Sequence, residues 1–309
     1  MRASPHDRLR ALVGGVFQRG HTARLEPGVR ALADRLVAEL AAQVRGAGQA
    51  DVMAGIAHLL PVEVIADLLG LPESVRPSLR GWSTAIVAMY EPDPEAVRRA
   101  GAERAAADFV AALRDLVAFR RSRPGDDLVS DLVAAGVVPD ELVGTAALLL
   151  MAGHEATVNV IGNGVLALLR HPAQWRSFLV DGDVGAAVDE LIRYDPPLQL
   201  FERTALHDTE VAGHPVPAGT CIAALLGAAA RDPLVFARPD ELDLERRPNP
   251  HLGFGAGVHY CLGAPLARLE VAAVLDALRT HLPGIRLATP PRRRPDFVMR
   301  GMRELVVTA

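Results

Sequence analysis

The chain has 309 residues, 50% of them hydrophobic, and a formal net charge of -4, which allows one large globular unit and excludes an obvious nucleic-acid binder. All 33 basic residues are arginine, a coding bias from which no partner follows. Two distant cysteines and no signal peptide fit a reducing cytoplasm, and the most apolar run, Leu142 to Met151, is far shorter than the ~20 residues of a membrane span.

In chain order, an amphipathic segment runs from His6 through Arg10 and Val13 to Phe17, and a second helix is predicted from about Arg24 to Val44. Leu60 to Pro72 has a proline near its start, Gly-x-Pro at its stop and apolar residues at helical spacing between, the pattern of a buried helix. Two more helices are predicted over Ser74 to Met89 and Pro94 to Arg121, joined by the turn residues Glu91-Pro92-Asp93-Pro94. The longest helical pattern covers Pro139 to Leu169, roughly 45 Å at about 1.5 Å per residue. Its first part is apolar on all sides and therefore buried. The character changes at Ala152-Gly153-His154-Glu155-Ala156-Thr157. A glycine costs a helix about 1 kcal/mol relative to alanine and a buried carboxylate needs partners, so this segment serves something besides packing.

Further on, Glu190 and Arg193 stand three apart on one helix face, where they can pair; alone they read as a commonplace surface ion pair. Phe201 to Leu206 and Gly219 to Leu226 read as strands, with Val216 to Gly219 as a turn. Ile285 to Leu287 and Val298 to Val307 read as closing strands, and Arg292-Arg293-Arg294 as a solvated loop, with a basic patch for an acidic redox partner as the alternative.

The stretch Phe254-Gly255-Ala256-Gly257-Val258-His259-Tyr260-Cys261-Leu262-Gly263 comes just before a helix that starts at Pro265. A helix N-terminus favours negative charge and lowers a thiol pKa from its usual value of about 8.5, so Cys261 has the surroundings of a thiolate. The glycines allow tight turns and a close approach to a flat, bulky partner. A phosphate cradle is excluded because Tyr260 stands where the third glycine of G-x-G-x-x-G would be. A zinc site is excluded because Cys221 is the only other cysteine. Two readings stay open on the residues alone. One is a cysteine buried in a glycine-rich turn; the other is a single thiolate holding a cofactor that brings its other ligands itself, as haem does.

As a fixed string, F-G-x-G-x-H-x-C-x-G followed by Ala264-Pro265-Leu266-Ala267-Arg268 resembles the haem-binding loop of the cytochrome P-450 family, the haem-thiolate monooxygenases. The resemblance covers nearly all of the chain. It implies a mainly α fold with a long central helix across the haem and a small β region, as one domain over residues 1–309. It makes Cys261 the proximal iron ligand of haem b, with Phe254, Gly255 and Gly263 shaping the loop. His6, Arg10, Arg203 and His259 would meet the two propionates. Residues 152–157 are similar to the family's oxygen-binding segment, where the helix bulges: Gly153 for the bulge, Glu155 as the acid of a proton relay, and Ala156 where a threonine usually stands. Thr157 is one residue on, rotated by about 100°, and the expectation is that Glu155 works through water, with Thr157 or a substrate hydroxyl completing the relay. Glu190 and Arg193 match the Glu-x-x-Arg helix and Arg246 the arginine that joins it, in a structural role. The helices over 74–121 would cover the substrate, with Trp82, Ile86 and Met89 as candidate lining and Arg300-Gly301-Met302 touching it from the C-terminal hairpin.

The implied activity is insertion of one oxygen atom from dioxygen into a hydrophobic small molecule, such as a secondary metabolite, with electrons from a ferredoxin and its reductase, in the cytoplasm and without a membrane or nucleic-acid partner. The family has a sizeable portion before the His6 helix; either the sequence is an incomplete gene product or start-site error, which is the expectation, or it is a trimmed protein with a more open pocket, and both put catalytic competence in question. Two alternatives follow: a catalytically silent haem-binding helper, and a peroxide-driven peroxygenase.

Overall fold

The computed structural model describes residues 5–16, 22–91 and 95–309. The expected passage of the first helix through Phe17 and the turn residues Pro92 to Pro94 lie outside them. Helix α1 is Pro5–Val16 and α2 is Thr22–Ala47, which buries Val29, Ala33, Leu36, Val37, Leu40, Ala41 and Val44 along one helical stripe. That stripe packs on α11, Ala264–His281, whose Val271, Val274, Leu275 and Leu278 are buried. α7, Pro139–Arg170, and α9, Val184–Tyr194, also pack on α11 and on each other. The core is therefore helix on helix, assembled around α7 as apolar periodicity demands.

Three helices lean on α7 from another side. α3, Leu60–Leu69, follows a wide turn at Met53–Ala57 that the sequence pattern does not announce. α4, Arg76–Val87, continues as a tighter turn to Tyr90, and α5 is Ala96–Ser122. Three short helices were not predicted: α6, Leu128–Ala134, capped by Asp127; α8, Pro172–Asp181; and α10, Leu226–Ala229.

The β structure is peripheral and short. β1 (Ala50–Asp51), β9 (Val306–Thr308) and β6 (Arg286–Leu287) form an antiparallel sheet in the order β1-β9-β6, with Ala50 and Leu287 both opposite Val307. β2 (Leu200–Thr204) pairs with β5 (Cys221–Leu225), and an unpredicted hairpin joins β3 (Thr209–Val211) to β4 (His214–Val216). The single closing strand expected over 298–307 is broken: β8 (Met302–Glu304) pairs with β7 (Arg292–Arg293), and Leu305 turns out of line where its N–H donates to Asp51 Oδ1 at 2.9 Å.

Candidate functional site

The Cys261 loop is shaped by its backbone. Gly255 and Gly257 sit at φ 71° and 64°, the left-handed region that other residues avoid. The turn they make brings the Cys261 N–H onto the Phe254 carbonyl at 2.8 Å. Phe254 supports the loop from below, with Arg268 4.4 Å over its ring and Arg268 Nε bonded to Asp189 at 2.8 Å. Burial works against the Asp189 charge, but hydrogen bonds from His251 and Arg268 outweigh it and hold its carboxyl below the usual range.

Cys261 itself is exposed. Its thiol pKa is nevertheless raised: the protein packed around the sulfur outweighs the N–H groups of Gly263 and Ala264 and the charges of Arg10 and Arg268. This corrects the expectation of a thiolate created by the helix end. α11 begins only at Ala264, and desolvation of the anion exceeds what one helix terminus returns. A coordinated metal deprotonates such a thiol outright.

Helix α1 straps this loop to α7. Arg8 pairs with Glu141 in the first turn of α7, and Arg10 donates to the Tyr260 carbonyl beside Cys261. The His6 and His259 rings lie 4.8 Å apart. These contacts gather His6, Arg10 and His259 around the cysteine. They do not include Arg203, which lies exposed on β2 with its guanidinium 5.6 Å over the Phe201 ring and bonded to the Glu202 carbonyl at 2.8 Å.

On α7, Gly144, Leu148 and Ala152 are exposed at four-residue intervals and Ala156 is half-buried on the same line, in a helix that is otherwise mostly buried. Leu148, 63% exposed, has no packing reason to be there. The expected bulge is not present: α7 runs unbroken through 152–157. Gly153 serves packing, since a Cβ there would meet Ile65 Cδ1 of α3 at 3.2 Å. Thr157 is buried and its hydroxyl donates to the Gly153 carbonyl at 3.1 Å, so that hydroxyl is committed within the helix. His154 is buried with neither ring nitrogen partnered among the described residues, and burial pushes its pKa down to about 4.

Glu155 is 1% exposed. Its Oε1 accepts from the Thr84 hydroxyl of α4 at 2.8 Å and its Oε2 from Arg294 at 3.2 Å. Sequence reasoning missed both partners. The arginine run it read as a solvated loop is instead paired with carboxylates: Arg293 binds Asp195 at 2.9 Å, Arg294 binds Glu155 and Asp296, and Arg292, the most exposed of the three, lies 3.6 Å from Glu304. Buried acids recruit cations from wherever the fold brings them. Arg300 is likewise drawn to Asp195 at 2.7 Å while its side chain stays 43% exposed, Met302 is buried, and of this hairpin Val298 lines a cavity.

That cavity, about 600 Å³, is lined by Met89, Tyr90, Leu198, Leu200, Phe201 and Val298, with Glu91, Arg99 and Glu202 at its edge. Leu198 also packs on the cluster of Val87, Met151 and Met299, together with Ile86, one turn before Glu155. Trp82 turns instead to Phe109, 5.7 Å away.

Glu190, Arg193 and Arg246 do come together. Arg193 grips Glu190 through two bonds of 2.7 and 2.8 Å, and Arg246 adds a third at 3.1 Å. The remaining guanidinium hydrogens reach the carbonyls of Ala230, Ala237, Arg238, Pro239 and Glu241, which fixes the loop leading to the cysteine.

The residues around Cys261 fit a haem: an open thiol on a glycine-shaped turn, cationic and imidazole groups beside it, exposed apolar positions on the central helix, and no cluster of three metal-ligating side chains among the described residues. This arrangement has room for a haem held by one thiolate, and the comparisons with known proteins give the class. The Cytochrome P450 family model matches residues 184–298, and the chain belongs to that family. The biotin biosynthesis cytochrome P450 of Bacillus subtilis is 36% identical, over 98% of this chain and 77% of that protein. The mycinamicin IV hydroxylase/epoxidase of Micromonospora griseorubida is 40% identical, over 98% and 77%. The crystal structure of P450BioI in complex with hexadec-9Z-enoic acid ligated acyl carrier protein matches with a TM-score of 0.93 and 36% identity, over 100% of this chain and 80% of that one. The chain is thus an oxidoreductase of the bacterial monooxygenase type, with haem iron as cofactor. No helix among the described residues is long and apolar enough to cross a membrane.

Proposed function

We propose that this chain, acting as one domain, holds haem b through Cys261 and inserts one oxygen atom from dioxygen into a large apolar substrate, with electrons from a ferredoxin and its reductase in the cytoplasm. The observation that carries the reading is the open Cys261 thiol on its double-glycine turn, strapped by α1 to the start of α7. When bound, the haem-thiolate centre supplies the dioxygen chemistry.

The chain's residues do the rest. Cys261 would give up its proton to hold the iron. Arg10, His6 and His259 would meet the haem carboxylates with charge-assisted hydrogen bonds, and Arg203 would have to leave Phe201 to join them. Leu148, Ala152 and Ala156 present an apolar, nearly smooth face, while Glu155 behind it holds or passes a proton through water. The cavity bounded by Met89, Leu198, Phe201 and Val298 admits an apolar body. Relatives named for mycinamicin and for a fatty-acyl carrier complex support a secondary-metabolite or lipid-chain substrate.

The test is the spectrum of the reduced, carbon-monoxide-bound protein: the long-wavelength Soret band of thiolate ligation is expected and is lost in Cys261→Ser. Its absence with Cys261 intact would overturn the reading. Turnover fed by ferredoxin and reductase, set against turnover fed by hydrogen peroxide, then decides the electron source.

A further inference from the structure

Arg294 links Glu155 to the protein surface. Its Nε binds Asp296 Oδ2 at 2.6 Å, its NH1 reaches Glu155 Oε2 at 3.2 Å, and its backbone N–H donates to the Gly301 carbonyl at 3.1 Å. Asp296 in turn lies 3.9 Å from Arg98 of α5. Side-chain exposure is 1% at Glu155, 16% at Arg294 and 13% at Asp296, and reaches 44% at Arg98, so the line runs from the interior to the surface. The guanidinium is shared unequally. Asp296 holds it by the shorter bond, and Glu155 receives a single longer one, where Glu190 receives two short ones from Arg193. A bidentate fork locks a carboxylate, whereas a single shared bond orients it and can be exchanged.

We propose that Arg294 is a positioning residue for Glu155: Asp296 anchors the guanidinium from outside, and the one bond Arg294 spares sets where the Glu155 carboxylate points and how readily it changes partner. This rests on the reading of Glu155 as the acid on the oxygen side of the haem. Arg294 touches neither substrate nor haem in this role; it acts through Glu155, opposite Thr84, which holds the other oxygen.

The test uses the haem-loaded protein and two readouts. The first is the infrared carboxyl and carboxylate band of Glu155, assigned by its loss in Glu155→Gln. The second is the share of consumed dioxygen released as hydrogen peroxide rather than water, driven by reduced ferredoxin with no organic substrate added. Arg294→Gln is expected to shift the band and raise the ratio of peroxide to water formed about ten-fold, within the roughly hundred-fold that a misplaced group can cost. Arg294→Lys restores most of both. In a Glu155→Gln background, Arg294→Gln adds nothing further. Asp296→Asn, which keeps the guanidinium and frees it for Glu155, shifts the band in the opposite direction and serves if Arg294→Gln does not fold. An unmoved band, or a peroxide increase that survives undiminished in the Glu155→Gln background, would overturn the proposal. A wild-type protein without the thiolate Soret band would sink the haem reading instead, while the infrared band still decides on Arg294.

Discussion

Glu155 and Glu190 are both buried glutamates on helices, and they are held in opposite ways. Glu190 has two arginines, the Asp243 N–H at 2.9 Å and Asn249 at 3.3 Å; its capacity as an acceptor is filled. Glu155 has one hydroxyl and one shared guanidinium, with an unpartnered histidine beside it. A carboxylate saturated from every side can only be structural, because any change of proton or partner breaks several bonds at once. One held by two single bonds can change partner at small cost. The same residue type in similar burial thus separates scaffold from machinery by the number and sharing of its partners.

The largest effect should come from breaking the saturated side. Arg193→Met leaves Arg246 as the one cation on the buried Glu190 charge and removes the bonds to Ala230 and Pro239. Loss of one partner of a buried pair costs about 3–5 kcal/mol, to be read from denaturant unfolding, and haem retention should fall with it because the loop before Cys261 loses its ties. Arg193→Lys should lose much of the same stability, since an ammonium cannot form the fork. A variant as stable as the wild type would remove the contrast with Glu155.

The second effect concerns protons near Glu155. Burial lowers the His154 pKa from 6.5 to about 4, while in the unfolded chain it returns to its ordinary value. Between those two values the unfolded state binds a proton that the folded state refuses, so stability falls as pH drops from about 6.5 to 4, by on the order of 3 kcal/mol. His154→Leu should flatten that part of the stability profile. His58, whose pKa is also lowered to about 4, first by burial and then by Arg80, would keep a residual slope. An unchanged acid limb in His154→Leu would mean that the ring is solvated in solution.

This contrast also explains what could be read from the sequence. The Cys261 loop was legible because its chemistry lies within ten consecutive residues and its backbone demands glycine at fixed places. Helices α2, α3, α5, α7 and α11 were legible from periodicity. Glu190 and Arg193 were legible as a pair by spacing, although nothing local distinguished a buried pair from a surface one. The partners of Glu155 were not legible: Thr84 is 71 residues away and Arg294 139, and a run of three arginines has the composition of a solvated loop. Strands of two or three residues, such as β1 and β7, leave no alternation to detect; tertiary hydrogen bonds such as that from Leu305 to Asp51 place them. The bulge expected at 152–157 failed for a related reason. The glycine that suggested it is needed by Ile65 of α3, and the carbonyl it would release is taken by Thr157.

A smaller effect should follow from Thr84→Val, which keeps shape and removes the hydroxyl bonded to Glu155 Oε1. Hydrogen bonds to charged groups contribute about 1.5–3 kcal/mol, and the lower end is expected because Arg294 remains. Unfolding measurements on Thr84→Val, Arg294→Gln and the double variant should be non-additive, since both side chains act on one carboxylate. Additive losses would indicate that Glu155 is not the shared partner.

The smallest change in stability, and the sharpest test of the machinery, is Ala156→Thr. The position is half-buried and follows Leu148 and Ala152 on the exposed line of α7, so a threonine costs little beyond its lower helix propensity, roughly 0.5 kcal/mol. Its hydroxyl would stand on the face where Thr157 has none to offer, because Thr157 is tied to the Gly153 carbonyl. If proton supply from Glu155 runs through water across that bare face, the added hydroxyl gives it a fixed stepping point, and a larger share of consumed dioxygen should end as water or product and less as peroxide. If coupling is unchanged while the variant stays folded and haem-loaded, the relay does not pass over Ala156, and the loose hold on Glu155 needs another explanation.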